Sequence, residues 1–350
     1  MKNPLVSIVV LSHNRWDEIK DCLESLKKTK YPNFEVIVVD NHSTDGTLEK
    51  IKKRFKWAKV IENDKNLGPV KGRLIGVKAS KGSFIAFFDN DVVVTPNWLS
   101  EVMKTFNKDK TIGSCAIKTM LHSNKKLVNS AGMGCDIFGF AYSRGLIARG
   151  VYEEDNGQYD KEEEVFGSYA TAMVIKKDVF KKVASFDPAF VMYYEEIDLS
   201  WRVRLAGYKV VYVPTSVVFH KFSATKTDYF TKDIFHSKVV YFTEKNRFRS
   251  MIQNYGLGML FRVLPFYIPL KFLECLLYIS FGKITTAAML GKGILSTVIE
   301  LPKIIRKRSY MQRKVRRVRD SEVTKLMDKR SLEVSRFLRG YGKFVLRKTL

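Results

Sequence analysis

Two aspartates stand two positions apart at the end of an apolar run. The run covers residues 84–88, and Asp89, Asn90 and Asp91 follow it directly. Carboxylates at this spacing can reach a common point where the backbone turns, which suits Mg²⁺ or Mn²⁺ with water and phosphate oxygens in the remaining positions. The same pattern also occurs in ordinary turns and helix caps. Here the two aspartates follow an apolar run that is typical of a buried strand. The segment therefore predicts a site for a metal ion and a diphosphate.

The elements around this segment alternate between short β-rich runs and polar segments with helical periodicity. Such alternation predicts βαβ units and an α/β domain with a mostly parallel central sheet and flanking helices. The predicted strands cover residues 6–11, 35–39, 58–61, 84–88 and 112–117, and the helices between them cover residues 16–28, 47–55, 69–79 and 96–106. In such sheets ligands bind beyond the carboxyl ends of the strands.

The second part of the chain is less regular. Residues 118–166 predict loops and short strands that frame a pocket. Order then returns with strands at residues 172–175, 210–213 and 217–219, and with helices at residues 177–183 and 197–206, the latter ending before Gly207.

Composition indicates a globular protein with an appendage. The chain has 350 residues, 45% of them hydrophobic, and four widely spaced cysteines that predict neither a zinc site nor a disulfide framework. A reducing, cytoplasmic compartment fits this pattern best. The apolar run near the N-terminus is too short for a spanning helix and is interpreted as the first strand.

The C-terminal region combines apolar and basic segments. Residues 303–350 hold 17 basic and four acidic side chains, so +13 of the net charge of +25 lies there. Residues 257–281 are strongly apolar but contain Arg262, Lys271 and Glu274, so we expect no bilayer-spanning helix. We expect helices in the membrane interface, with the basic cluster toward anionic headgroups. The alternative is a helical appendage that packs on the sheet domain or on a second subunit.

Four sequence blocks resemble glycosyltransferase family 2 with the GT-A fold, in the same order. They are SIVVLSHNR, VIVVDNHSTDGT, NDKNLGPVKGRLIGVKASKGSFIAFFDND and MYYEEIDLSWRVRLAGYKVVYVPTSVVFHK. The second half most resembles the branch that includes rhamnosyltransferases. The resemblance implies a catalytic domain over residues 1–225, with a nucleotide-binding half (1–117) and an acceptor-binding half (118–225). Residues 226–350 would form a helical, membrane-associated region.

The resemblance implies roles at the donor side of the cleft. Asp40 would accept a hydrogen bond from the nucleobase, with Ser12 and Arg15 at the same end. Asn66 would lie near the ribose, and Lys65 would lie near the phosphates. The structural alternative is that Asp40 caps a turn and that Asn66 belongs to a turn entering a helix.

The metal site implied by the resemblance includes three residues. Asp89 would contact both the ribose and the metal ion, and Asp91 would be the direct ligand. His220 follows an apolar run and would complete the site for Mn²⁺ or Mg²⁺, because neutral imidazole suits Mn²⁺. A histidine in this position is otherwise a hydrogen-bonded core residue.

The acceptor side depends on the segment YYEEIDLSWR. An inverting transfer needs one carboxylate to deprotonate the acceptor hydroxyl, and Glu196 stands where the family usually has an aspartate. Glu195 would orient an acceptor hydroxyl, Asp198 would hold the arrangement, and Trp201 would support the helix. Alternatively these acids only stabilise the start of a helix and pair with its arginines.

Together these patterns predict a metal-dependent inverting glycosyltransferase at the cytoplasmic face of the cell membrane. Its partners would be a nucleotide-sugar donor, a lipid-linked glycan acceptor and an anionic membrane surface, with no specific nucleic acid and a possible homodimer. A nucleotidyltransferase is a second hypothesis, although SHNRWDE lacks the glycine-rich phosphate loop that such enzymes carry. A basic adaptor that binds nucleic acid or membrane is a third, supported by the aromatic residues within the basic tail.

Overall fold

The computed structural model describes residues 3–148, 151–221 and 233–332. Within the first two ranges, helices and short strands alternate as the sequence predicts. The strands are β1 (Val6–Ser12), β2 (Phe34–Asp40), β3 (Lys59–Glu62), β4 (Phe84–Asp89), β5 (Val92–Val94), β6 (Ile112–Leu121), β7 (Val128–Ser130), β8 (Met133–Asp136), β9 (Ala141–Ser143), β10 (Leu146–Ala148), β11 (Val151–Tyr152), β12 (Glu163–Glu164), β13 (Ala172–Lys176) and β14 (Lys209–His220). The helices are α1 (Trp16–Lys27), α2 (Thr47–Arg54), α3 (Gly68–Ala79), α4 (Trp98–Lys108), α5 (Lys177–Lys182) and α6 (Glu195–Leu205).

One large sheet organises this part of the molecule. Its strand order is β12-β14-β6-β13-β4-β1-β2-β3, and β5 and β7 pair with β14 and β6. The pairs among β1 to β4 and the pair of β6 with β14 are parallel, whereas β13 lies antiparallel between β4 and β6. The prediction of an α/β fold with a mostly parallel sheet is therefore confirmed. All ten residues of β6 are buried, because helices or loops cover both faces of the sheet.

The register of the parallel strands aligns the predicted polar residues along one edge. Ser12 lies beside Asp40, and Leu11 lies beside Asp89, at the carboxyl ends of their strands. The two strands predicted at residues 210–213 and 217–219 form one strand, β14, whose pairing with β6 shifts register between them. This irregularity explains why the sequence reads as two separate runs.

Helix α3 packs directly on the sheet through two of its inner positions, Gly72 and Gly76. A Cβ atom at Gly72 would come within 2.5 Å of Leu11 Cδ1, and one at Gly76 would collide with Val9. The close approach therefore depends on the absence of side chains at these two positions. It also brings Arg73, which is next to Gly72, to the carboxyl edge of the sheet.

The C-terminal region is helical and packs against the sheet domain. Its elements are α7 (Asp233–Asn254), α8 (Leu257–Ser280), α9 (Ile284–Ile299), α10 (Leu301–Tyr310), a π-helix (Met311–Val315), α11 (Asp320–Thr324) and β15 (Met327–Asp328). Strand β15 pairs with β8, and the π-helix joins the apolar core beneath the sheet. The predicted domain boundary at residue 225 and the last part of the basic tail lie outside the described residues.

Helix α8 runs unbroken for 24 residues, through Pro265 and Pro269. By length and composition it is long and apolar enough to cross a membrane, and 17% of its most apolar 18-residue stretch is buried. The helices Ile284–Ile299 and Leu301–Val315, with a bend of 62° between them, are long and apolar enough only if both are taken as one span. Lys271 is buried, 3.4 Å from Glu244 and 2.6 Å from Glu274, so this charge faces the protein. The apolar stretch recognised in the sequence is therefore one continuous helix of spanning length, and the expectation that it does not cross a bilayer stays a prediction.

Candidate active site

Asp91 and His220 meet at the carboxyl edge of the sheet. The antiparallel pairing of β5 with β14 sets Val92 opposite His220, so the residue before Val92 faces the imidazole. Asp91 Oδ1 lies 3.2 Å from His220 Nε2. On the other side of the ring, Nδ1 lies 3.0 Å from Asn129 Oδ1, an atom that can only accept a hydrogen bond. Nδ1 therefore carries the proton, and in the neutral ring Nε2 keeps its lone pair.

This pair of atoms fits a divalent cation. Neighbouring ligands of an octahedral ion with bonds of about 2.1 Å are about 3 Å apart, which matches the separation of Asp91 Oδ1 and His220 Nε2. Within the described ranges no group of three or more His, Cys, Asp or Glu side chains forms a metal cluster. The remaining positions would therefore be filled by other oxygens, as in sites where Mn²⁺ or Mg²⁺ is held jointly by protein and phosphate.

Burial and the neighbouring carboxylates act in opposite directions on the pKa of His220. Burial alone lowers the pKa of the imidazole, but the hydrogen bond to Asp91 and the charges of Asp91 and Asp89 raise it above the usual histidine range. A positive imidazole and a bound cation would compete for Asp91. Protonation of the imidazole and binding of a cation at this pair therefore exclude each other.

Arg73 joins the donor side of the cleft to the acceptor side. Its guanidinium donates to Asp89 Oδ1 at 2.8 Å and to Glu195 Oε1 at 3.1 Å, and it lies 3.9 Å from Glu196 Oε1. Asp89 Oδ2 accepts a further hydrogen bond from Thr171 at 2.9 Å. Arg73 is buried, so its charge acts on these carboxylates with little screening.

The two glutamates at the start of α6 have different environments. The side chain of Glu195 is 4% exposed and that of Glu196 is 15% exposed. Burial and the neighbouring Glu196 raise the pKa of Glu195 to about 8, although Arg73 opposes this rise. Burial also raises the pKa of Glu196, again against the effect of Arg73. Glu196 is the more accessible of the two, as the predicted assignment of the base requires.

The loop before these glutamates has an unfavourable backbone. Val191, Tyr193 and Tyr194 all have positive φ, at 59°, 62° and 69°. Val191 is the centre of a γ-turn, in which the Met192 N–H donates to the Phe190 carbonyl at 2.5 Å. Residues in such conformations cost on the order of 1–3 kcal/mol each, and the cost is greatest for a β-branched side chain. The surrounding structure must therefore hold this loop in place.

Asp198 and Trp201 lie beneath the site and are buried. Asp198 Oδ2 accepts from Arg202 Nε at 2.8 Å, and Oδ1 accepts from Asn254 Nδ2 at 2.8 Å. The Trp201 ring stands edge-on to Tyr255, with centroids 4.6 Å apart. The contacts with Asn254 and Tyr255 fix α6 against the end of α7, and the roles of Asp198 and Trp201 at the acceptor side stay a prediction.

The residues predicted for donor binding line the edge near β1 and β2. Both carboxylate oxygens of Asp40 accept hydrogen bonds from Ser43, so Asp40 does cap a turn, and its contact with a nucleobase stays a prediction. Ser12 is buried, and its hydroxyl has no partner within the described ranges. The backbone N–H of Arg15 donates to Asp45 at 2.8 Å, which orders the loop after β1.

The loop that contains Lys65 and Asn66 is organised by Asn41. The Asn41 amide donates to Asn66 Oδ1 at 2.8 Å, and Asn41 Oδ1 accepts from the Leu67 N–H at 3.0 Å. Asn66 therefore enters the turn that starts α3, as the structural alternative states. Lys65 is exposed next to this turn, and its predicted contact with phosphates stays a prediction.

Sequence reasoning misses three residues that the structure brings into the site. Arg73 lies in a helix of ordinary composition, although its position beside two spaced glycines is a signal of close packing. Asn129 lies in an irregular segment, and nothing in its neighbourhood points to His220. Asn41 is one of several polar residues after β2, and its type alone does not distinguish it.

The fold is the GT-A fold. The structure covers 86% of the mannosyltransferase PcManGT from Pyrobaculum calidifontis, solved with GDP-Man and Mn²⁺, and 89% of this chain is aligned, with a TM-score of 0.53 and 14% identity. The family model for glycosyl transferase family 2 matches residues 7–183, just over half of the chain. The chain therefore belongs to glycosyltransferase family 2. This membership supports a glycosyltransferase over the nucleotidyltransferase and adaptor hypotheses.

The curated relatives are similar to only part of this chain. Glycosyltransferase AglE from Haloferax volcanii is 26% identical over 221 residues, which are 60% of this chain and 64% of the relative. The putative teichuronic acid biosynthesis glycosyltransferase TuaG from Bacillus subtilis is 34% identical over 91 residues, which are 25% of this chain and 36% of the relative. The chain thus spans less than two thirds of the length of these relatives. Neither relative gives specific support for the predicted resemblance to the rhamnosyltransferase branch.

Proposed function

We propose that this protein transfers a sugar from a nucleoside-diphosphate sugar to a hydroxyl group of a glycan acceptor, with inversion at the anomeric carbon. The observation that carries the proposal is the arrangement around Arg73. It holds one carboxylate at the donor edge, Asp89, and lies against the acceptor-side pair Glu195 and Glu196. Family membership and the solved mannosyltransferase support a nucleotide-sugar donor.

In the proposed reaction Glu196 acts as the base. It takes the proton from the acceptor hydroxyl while the hydroxyl oxygen bonds to the anomeric carbon, and the nucleoside diphosphate leaves with the electron pair. Asp91 and His220 would hold a divalent cation, which would neutralise charge on the departing diphosphate. Glu195, fixed by Arg73, would orient the acceptor. No second carboxylic acid is needed, because a diphosphate leaves without protonation.

We further propose that the acceptor is lipid-linked and that the enzyme works at the cytoplasmic face of the cell membrane. The outer face of α8 supports this, since Phe261, Phe266 and Phe272 are exposed while Lys271 is turned inward. Relatives such as TuaG support a cell-surface polysaccharide as product. The resemblance to the rhamnosyltransferase branch stays a prediction. A homodimer stays a prediction without structural support.

Calorimetric titration of UDP, GDP and dTDP tests the proposal, with Mn²⁺ and with chelator. We expect binding of one nucleotide that depends on the metal. The variant Glu196→Gln should bind that nucleotide normally and lose transfer by about 10²–10⁴-fold, because general-base catalysis contributes this much. Normal turnover in this variant would remove Glu196 as the base, and failure of all three nucleotides to bind would contradict the donor class.

A further inference from the structure

A helix from the C-terminal region holds the loop that precedes Glu195. Asn246 lies on α7 and is fully buried. Its amide nitrogen donates to the backbone carbonyls of Phe190 at 3.0 Å, Met192 at 2.9 Å and Tyr193 at 2.9 Å. One amide group therefore serves three carbonyls of the loop whose backbone has positive φ.

The same helix contacts the other side of the glutamate pair. Asn254 Nδ2 donates to Asp198 Oδ1 at 2.8 Å. Asn246 and Asn254 are eight residues apart, or about two helical turns, so both side chains project from one face of α7. One set of bonds fixes the loop before Glu195, and the other bond fixes the helix just after Glu196. The two glutamates thus lie between two points that α7 anchors.

Other contacts hold the two ends of the loop, where Phe190 is buried and Asp187 accepts from the Ala189 N–H at 3.0 Å. Val191 is 51% exposed, so its own packing does not enforce a positive φ. Tyr194 donates to the Gly139 carbonyl at 3.2 Å, which fixes the end of the loop but not the γ-turn. The hydrogen bonds from Asn246 act at the turn itself, on the carbonyls of Phe190 and Met192.

We propose that Asn246 and Asn254 are positioning residues for the acceptor-side glutamates, so that α7 is a working part of the transfer site. This inference rests on the proposed transfer reaction. The family model ends at residue 183, before Glu195 and before α7, so family membership does not imply it. The expected consequence is that turnover depends on α7 while nucleotide binding does not, because the nucleotide edge is built by β1, β2 and β4.

The variant Asn246→Leu tests the inference. Leucine is of similar size, and Asn246 Oδ1 has no partner within the described ranges, so the substitution removes only the three donated bonds. We expect kcat to fall by about 10–100-fold, since a displacement of about 1 Å at a catalytic group has an effect of this order. The dissociation constant of the nucleotide should change less than about twofold. Ser250→Ala, one turn away on α7, is the control and should retain wild-type kcat.

Hydrogen exchange gives a readout that does not need transfer activity. Amides of residues 190–194 should exchange faster in Asn246→Leu than in Ser250→Ala, with unchanged exchange in β1 and β2. Adding Val191→Gly should restore kcat at least about threefold, because glycine adopts the positive φ without strain. If Asn246→Leu does not fold, Asn246→Ser, which reaches fewer of the carbonyls, takes its place with the same expectations.

Three results would overturn the inference. They are a kcat within about twofold of wild type, an equal loss of nucleotide affinity, and unchanged exchange of residues 190–194. Absence of transfer by the wild-type protein with every donor would instead refute the proposed function. The exchange comparison would still decide whether α7 holds the loop.

Discussion

Replacing Arg73 with methionine should move the pH dependence of transfer to higher pH. The Arg73 guanidinium lies 3.9 Å from Glu196 Oε1. Two unit charges at this distance interact by about 4 kcal/mol at an effective dielectric constant of about 20. Arg73 also serves Asp89 and Glu195, so only part of this energy acts on Glu196. Its loss should raise the pKa of Glu196 further.

The direction of the effect follows from the role of Glu196. A base must be ionised to accept the acceptor proton, so transfer increases as pH rises through its pKa. Burial already raises the pKa of Glu196, and the positive charge of Arg73 lowers it and so opposes this rise. Without Arg73 the pKa of Glu196 is higher still. At a pH below that value, kcat should fall by about tenfold for each unit by which the pKa has risen, and it should recover at higher pH.

The assay is kcat for transfer measured across a wide pH range with both substrates saturating. Lys118→Met is the matched control, because Lys118 is also a buried cation between two carboxylates, Asp155 and Asp160, outside the glutamate cluster. Both variants should unfold more easily than the wild type. A profile of Arg73→Met that is lower but keeps its position on the pH axis would refute the electrostatic argument.

Three further substitutions test other parts of the structure. Asn129→Leu removes the partner of His220 Nδ1 and should weaken Mn²⁺ affinity by about 10–100-fold, measured by calorimetry; an unchanged affinity would show that Asn129 does not orient the imidazole. Asp198→Ala leaves the buried Arg202 without its carboxylate and should lower the free energy of unfolding in urea by about 3–5 kcal/mol, whereas a loss under about 1 kcal/mol would contradict the contacts. Phe272→Asp should reduce flotation with anionic liposomes without changing nucleotide affinity, and unchanged flotation would argue against α8 as the membrane contact.

Local patterns are sufficient to predict the donor half of the molecule. The near-continuous apolar strands predict a parallel sheet, and the sheet in turn requires Ser12, Asp40 and Asp89 to share one edge. The resemblance places His220 with Asp91, and the structure brings these two residues within 3.2 Å. Each of these inferences depends on the period of a strand or on a contiguous motif, which a single sequence contains.

The acceptor half can be predicted only in outline. Arg73 reaches Glu195 122 positions away, Asn129 reaches His220 91 positions away, and Asn246 reaches the loop 53 to 56 positions away; no periodicity encodes such pairings. The burial of Lys271 within the apolar α8 is also hidden from the sequence, because Glu244, which lies 3.4 Å from it, belongs to another helix. Buried polar side chains that join distant elements are the features that sequence patterns conceal.

The pairing of β5 with β14 has a consequence for how the chain matures. Asp91 and His220 lie far apart in the sequence, and β14 is the last strand of the central sheet within the described ranges. A nascent or refolding chain therefore lacks the pair until β14 has docked beside β6. Binding of Mn²⁺ during refolding should lag behind the recovery of secondary structure. Its rate would then report how fast β14 docks onto the sheet.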